Sequence, residues 1–146
     1  MNDDLVEALK KAQATTFSLY LKAHNFHWNV EGPDFAQYHE FLGDFYAEVF
    51  GAVDTIAELI RTLQAYAPGS LTRFKELSTI EDELSVPKAL VMIARLNGDN
   101  QRLLIVLNEA YRIAEAQSKF GISNALQDRI TAHEKHGWML RSFTKE

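Results

Sequence analysis

Cysteine is absent from this chain of 146 residues, which excludes disulfide frameworks and thiolate metal sites. Proline occurs 3 times and glycine 7 times, so few positions can interrupt regular structure. No stretch of about 18 or more apolar residues is present, and nothing reads as a membrane-spanning helix. Positive charge is also short: 15 Lys and Arg face 20 Asp and Glu, a formal net charge of −5. Broad nucleic-acid binding leans on Lys and Arg contacts to phosphate. This balance argues against it and leaves cations open as ligands. The opening Met1-Asn2-Asp3-Asp4-Leu5 is acidic and polar. It lacks the basic and apolar regions of a signal peptide, so a cytoplasmic location is the default expectation.

What is present is helical in pattern. Hydrophobic residues make up 47% of the chain and charged residues 24%, an ordinary globular balance, and the length predicts one domain over residues 1–146. Four long helices are expected. The first runs from about Asp3 to about Val30, with Asp3 or Asp4 near its N-cap, and stops at Glu31-Gly32-Pro33-Asp34. The second runs from about Phe35 to about Tyr66 and is closed by Pro68-Gly69. A long connection from Ala67 to Ser85 has room for a short helix around Thr72-Arg73-Phe74-Lys75-Glu76. The third begins near Ser85 as N-cap and runs to about Lys119, where Gly121 breaks it. The fourth runs from about Ser123, again an N-cap candidate, to about Phe143.

Short connections make the first and second helices, and the third and fourth, antiparallel neighbours. The long middle connection carries the chain along the bundle, which is the ferritin-like arrangement of a four-helix bundle. The apolar positions Leu5, Leu9, Ala12, Phe17, Leu21 and Ala23 follow helical spacing. Together with Phe26, Phe45, Phe50 and Tyr111 they are expected in the core rather than at a ligand. Lys10, Lys11 and Lys22 read as solvated charges.

Five histidines are present: His24, His27, His39, His133 and His136. His27 near the end of the first helix and His39 just inside the second fall at the same end of an antiparallel pair. Imidazole is the commonest metal ligand, although two such histidines also fit a structural role. Asp54 and Glu58 form an i, i+4 carboxylate pair on the second helix. A solvated Asp54, or a Glu58 paired with Arg61 or Thr62, would explain them equally well in isolation. Carboxylate and imidazole together suit iron and similar divalent metals.

Spacing favours a joint role. His39 and Asp54 lie on nearly the same side of one helix but roughly 22 Å apart along its axis, so they cannot share a metal within one subunit. Gly43, Ala47 and Gly51 place a small residue every four positions between them, where another backbone can approach closely. Packing the second helix antiparallel against a symmetry copy, with the twofold near Ala47 and Glu48, brings His39 of one subunit to Asp54 and Glu58 of the other. A twofold interface repeats this contact, giving two identical sites. Glu-x-x-His motifs, which build di-iron sites inside one ferritin-like bundle, are missing. The residues three before the histidines are Leu21, His24, Ala36, Ile130 and His133.

The segment His24-Asn25-Phe26-His27-Trp28-Asn29-Val30-Glu31-Gly32-Pro33-Asp34-Phe35, with Tyr38-His39-Glu40 after it, closely resembles the signature of the Dps family (DNA protection during starvation). So do Val53-Asp54-Thr55-Ile56-Ala57-Glu58 and the terminal His133-Glu134-Lys135-His136-Gly137-Trp138-Met139-Leu140-Arg141. The resemblance covers nearly the whole chain. It implies an all-α, ferritin-like subunit of a hollow twelve-subunit shell. It also implies ferroxidase sites at twofold interfaces, oxidation of Fe(II), preferably by hydrogen peroxide, with dioxygen as the other oxidant, and storage of ferric mineral. His27, His39, Asp54 and Glu58 match the family's ligand positions, and Trp28 matches a tryptophan beside the site.

Two departures qualify this. The family usually has Asp four residues after the second-helix histidine, where this chain has Gly43. Asp44 is rotated about 100° from that position; a water, or a shift of Glu48 or Asp44, is the available compensation. Gly43 therefore favours a second reading, a cage that binds metal with impaired turnover. A purely structural bundle would require the four ligand-type residues to coincide by chance. Iron entry is expected through threefold pores lined by acidic residues, with Asp128 and Glu134 as candidates; solvated charge explains both residues as simply.

The second departure is the lack of a Lys-rich terminal arm, by which several relatives bind DNA. Together with the net charge of −5, it predicts weak or absent DNA binding at physiological salt. A gel shift at neutral pH that survives such salt would refute this.

Overall fold

A computed structural model of the chain describes residues 2–145. Those residues form five helices: α1 (Asn2–Asn29), α2 (Phe35–Thr62), α3 (Leu71–Leu77), α4 (Ala89–Ala116) and α5 (Phe120–Phe143). α1 packs along α2, α4 packs along α5, and α1 also lies against α4, with the short α3 covering α1. This is the expected bundle with a long crossover between its halves.

Amphipathic spacing explains the packing. On α2 the buried residues are Leu42, Phe45, Val49, Ala52, Ile56 and Ile60, a single stripe at steps of three and four. It meets Leu5, Leu9, Ala12, Ala23 and Phe26 of α1 in one apolar core shared with Leu96, Leu103, Leu107 and Leu126. Phe26 and Phe45 are fully buried, as expected. Phe17 and Tyr111 are only partly covered. Phe50 and Leu21 are exposed instead, because their positions fall off the buried stripe.

The helix ends depart from the sequence-based expectation for one reason. The expected breakers were glycine and proline, but two helices close on other residues. Gln64 takes φ 64° and Ser118 takes φ 58°. After α2, the Gln64 N–H donates to the Arg61 carbonyl at 3.0 Å and the Ala65 N–H to that of Ile60 at 3.4 Å. After α4, the Ser118 N–H donates to Glu115 at 3.0 Å and that of Lys119 to Ala114 at 2.8 Å. Both are left-handed Schellman closures. α2 therefore ends before Tyr66, and Gly121 lies inside the first turn of α5 rather than breaking a helix. Ser123 is within α5, where its hydroxyl donates to the Phe120 carbonyl at 3.1 Å.

Ser85 is likewise no cap. Its hydroxyl donates to Glu83 at 2.8 Å; Pro87 disfavours helical backbone at Val86, and α4 starts only after an extended Lys88. Asp3 and Asp4 sit in the first turn of α1, where the helix dipole favours them. In the first turn between helices Gly32 adopts φ 104°, a conformation that glycine permits at little cost.

Charged groups tie the halves together. Lys22 is not solvated, contrary to expectation: its ammonium lies 2.8 Å from Asp99 of α4, and both side chains are buried. A second network joins α2, α4 and α5. Glu48 receives the Arg129 guanidinium and the His136 Nε2–H at 2.7 Å. Arg129 also donates to His133 Nε2 at 2.8 Å, and a guanidinium can only donate. His133 is therefore neutral, with its proton on Nδ1, which donates to Asn100 Oδ1 at 2.9 Å. Asn100 returns a bond to the His133 carbonyl at 2.8 Å.

Burial, then the positive charges of Arg129 and His136, hold His133 well below the ordinary imidazole value of 6.5. The hydrogen bond from His136, then Arg129, holds the Glu48 carboxyl far below its ordinary 4.5. Both shifts act in the same direction with pH. An imidazole depressed in the fold takes up a proton more readily unfolded, so its contribution falls as pH drops below 6.5. A depressed carboxyl loses its contribution as pH drops below 4.5. We expect the thermal midpoint of the metal-free protein to fall progressively from about pH 7 to about pH 5. His133→Gln should flatten that slope. A wild-type midpoint constant across this range would contradict the His133 assignment.

Candidate metal site

The turn between α1 and α2 brings His27 and His39 together face to face, with ring centroids 3.8 Å apart and planes inclined by 18°. Each ring bonds the other's backbone. His27 Nδ1 lies 2.7 Å from the His39 carbonyl oxygen, and His39 Nδ1 lies 2.8 Å from the His27 carbonyl oxygen. A carbonyl can only accept, so both Nδ1 atoms carry protons. In the neutral rings both Nε2 atoms then carry lone pairs, and neither bonds to a partner among the described residues. Donation of the second ring nitrogen to a backbone carbonyl is what orients a metal-binding imidazole and sets its tautomer. The His27 carbonyl is available because it lies in the last turn of α1, where no intrahelical N–H reaches it.

Gly43 belongs to this arrangement. A Cβ added there would stand 3.1 Å from His27 Cε1 and 3.3 Å from Nδ1. The His27 ring occupies the space a side chain would take, and so reaches the His39 carbonyl one turn back. The three small residues of α2 are therefore not equivalent. Gly43 is filled from within its own subunit, whereas a Cβ at Gly51 would meet nothing within 4 Å, and Ala47 is exposed.

Asp54 and Glu58 lie further along α2 and are both exposed. Among the described residues no group of three His, Asp or Glu side chains converges to hold a metal. One protomer thus presents an imidazole pair at one end of α2 and a carboxylate pair roughly 22 Å away, with an exposed face between. The suggested stand-ins for the missing carboxylate fare poorly. Glu48 is committed to Arg129 and His136. Asp44 borders the α5 side with Glu48 and His136, away from the His27 ring. Asp128 and Glu134 are exposed on α5.

Beside Trp28, which was expected next to the site, stand rings that were not: His24, Tyr46 and Tyr20. His24 lies flat against Tyr46, with centroids 3.8 Å apart and planes at 9°, and it packs on the exposed Trp28 at 3.9 Å. Its Nδ1 is 3.0 Å from the Tyr20 hydroxyl. Burial, then the neighbouring His27, lowers its pKa below the ordinary imidazole value. Tyr20, His24 and Trp28 recur at i, i+4 and i+8 on α1, a helical spacing that signals contact.

Known proteins match this chain along its length. A family model described as the ferritin-like domain matches residues 6–146. The DNA protection during starvation protein 2 of Bacillus anthracis is 32% identical over 146 residues, covering 100% of both chains. Antigen TpF1 from Treponema pallidum superposes with a TM-score of 0.94 at 30% identity, over 98% of this chain and 92% of that one. A Dps protein from Bacillus brevis does so with a TM-score of 0.93 at 30% identity, over 97% and 95%. With its family model, its relatives and its fold in agreement, the chain belongs to the Dps family of ferritin-like proteins.

Proposed function

We propose that this chain is the subunit of a miniferritin that oxidises Fe(II), preferably with hydrogen peroxide, and stores the ferric product inside a hollow dodecameric shell. The observation that carries this reading is the donor set. Two imidazoles have free, oriented Nε2 atoms, and two exposed carboxylates lie on the same helix beyond reach within one protomer. An antiparallel twofold contact along the exposed face of α2 completes the set, with His27 and His39 from one chain and Asp54 and Glu58 from the other. Mixed imidazole and carboxylate donors suit Fe(II), which is the substrate here. Iron would enter through threefold pores lined by Asp128 and Glu134, where rings of carboxylates attract cations.

One metal is held firmly in this reading, by His27 with the partner's Asp54 and Glu58. A second, near His39, is short of one charged donor because Gly43 has no side chain. That deficit favours the second reading, a cage that binds metal but turns over slowly. Rapid-mixing absorbance with Fe(II) and peroxide, then with dioxygen, separates the two: sustained Fe(III) formation supports the oxidase and its absence the passive cage. Static light scattering should show a large closed particle. A stable species of about 17 kDa, close to the 16.6 kDa of one chain, would refute the shell.

The division of the site between chains has its own test. A His27→Ala/His39→Ala subunit and an Asp54→Ala/Glu58→Ala subunit should each be inactive alone. Co-refolded one to one, they should regain about a quarter of wild-type oxidation, since half the twofold pairs are mixed and each mixed pair rebuilds one of two sites. No recovery in co-assembled shells would show that the donors do not combine across chains.

Gly43 can be probed by two substitutions. Gly43→Ala adds only the crowding Cβ and should weaken the first metal a few-fold by displacing the His27 ring. Gly43→Asp adds a donor as well and should tighten the second metal in a titration followed by crystallography. Two equally occupied, fully protein-ligated metals in the wild type would show that Gly43 costs the site nothing.

A further inference from the structure

α2 packs mainly on α1 and α5 mainly on α4, and the contact of α2 with α5 is slight. A polar cluster joins the two. Glu48 of α2 receives both terminal nitrogens of Arg129 and the His136 Nε2–H, and Phe45 meets the edge of the His136 ring with centroids 4.6 Å apart. A cavity of about 420 Å³ opens beside them, walled by Phe41, Phe45, Ala132 and Met139. The cluster is closed by a neutral imidazole. Arg129 donates to His133 Nε2 at 2.8 Å, and His133 Nδ1 donates to Asn100 at 2.9 Å. With one nitrogen accepting and the other donating, the arrangement has no place for a second proton.

We propose that Glu48, Arg129 and His133 form an acid-released latch between α2 and α5: a proton on His133 Nε2 expels Arg129 and frees the seam between the two helices. A protonated Nε2 can only donate, and it would face a guanidinium N–H that also only donates. Two positive groups would then stand within hydrogen-bond distance at a buried ring. One must leave, and Arg129 is the freer. His133 is fully buried and is held twice by Asn100, through its ring and through its carbonyl. Arg129 sits on a flexible stem at the edge of the cluster, with its side chain 11% exposed. Its buried Nε has no hydrogen-bond partner. Swinging into water satisfies that N–H as well as the charge.

The charges around His133 do not reverse this. Burial opposes a proton on the ring most, then Arg129 and His136 of α5; Glu48 of α2 alone favours one. α4 presents the uncharged Asn100, while its neighbour Asp99 is turned to Lys22 and Arg102. Asp44 and Lys135 line the cavity beyond Glu48 and His136. His136 already donates to Glu48, so a proton gained there leaves that bond in place. Once Arg129 has left, His133 titrates closer to its ordinary 6.5. Acid therefore favours release, by up to about tenfold for each pH unit below that value. The seam opens while the α1–α2 core and the His27–His39 pair keep their own packing, whether or not the chain oxidises iron.

The chain has no cysteine, so a single introduced thiol reports on one place. Ala132→Cys puts it on the cavity wall, and Ala12→Cys puts it in the main core. Reaction with a dipyridyl disulfide is measured relative to the unfolded protein at the same pH. From about pH 7 to about pH 5 it should rise several-fold in Ala132→Cys and stay unchanged in Ala12→Cys. His133→Gln keeps a donor and an acceptor in place of the ring and takes no proton, so adding it to Ala132→Cys should abolish the rise. Crystals of the unaltered protein should show Arg129 on Glu48 at the higher pH and turned to solvent at the lower. An equal rise in both thiol variants would mean general loosening, and a rise that survives His133→Gln would mean that another group titrates. Either result, or Arg129 still seated on Glu48 in the acid crystals, overturns the latch.

Discussion

The exchange of hydrogen bonds between His27 and His39 is the constraint on which the site depends. Each Nδ1–H satisfies a backbone carbonyl of the other helix, so ring orientation is tied to the α1–α2 packing itself. No separate carboxylate is needed to hold either imidazole. Neither Nε2 can turn inward without leaving a carbonyl and a ring N–H unpaired in a half-buried place, which costs roughly 1–3 kcal/mol for each unsatisfied group. The turn at Gly32 and Asp34 serves this exchange, because it sets the two helix ends level enough for residues 27 and 39 to face each other.

Gly43 takes on a different meaning in that setting. In the proposed site it is a missing donor. In three dimensions it is also a seat for the His27 ring, whose Cε1 would stand 3.1 Å from a Cβ there. The two descriptions share a cause: with no side chain at that position, the ring settles directly over the backbone and bonds the His39 carbonyl. Nearby carboxylates do not offset the lost charge. Glu48 holds α2 to α5 through Arg129 and His136, on the far side of the helix from the two imidazoles. Withdrawing it would leave a mostly buried guanidinium without its counter-charge, and breaking a pair of this kind is costly.

Much of the architecture was legible because it follows from periodicity. The four long helices and the placing of His27 and His39 at the same end of an antiparallel pair needed only 3.6 residues per turn and a short connection, whereas Phe50 was misplaced in the core because the buried stripe of α2 was not traced. Boundaries were less legible. Gln64 and Ser118 close helices in a left-handed conformation that glycine usually adopts, and no local signal in the sequence marks them. Lys22 was misread because burial of a lysine depends on what faces it, here Asp99, 77 residues away in the chain. The Tyr20–His24 contact lies at i, i+4, but the stack it joins is completed by Tyr46 from the other helix, which no local pattern marks.

These features share an economy of position. α1 contributes His27 to the candidate metal site, Trp28 and His24 to the ring stack beside it, and Lys22 to the ion pair with α4. All lie within two turns, on different faces of one helix. Lys22 and the apolar residues fix the rotation of α1 against α4 and the core. That rotation decides which way His24 and His27 face. The ring stack and the imidazole pair are therefore not adjustable independently: a change that turns α1 to improve one contact displaces the other. The polar network on α5 is separate from this coupling, since Glu48 meets Arg129 and His136 on the opposite side of α2. Stability against acid and geometry at the candidate metal site consequently rest on different side chains, joined through α2 and through the neighbouring Asp99 and Asn100 of α4.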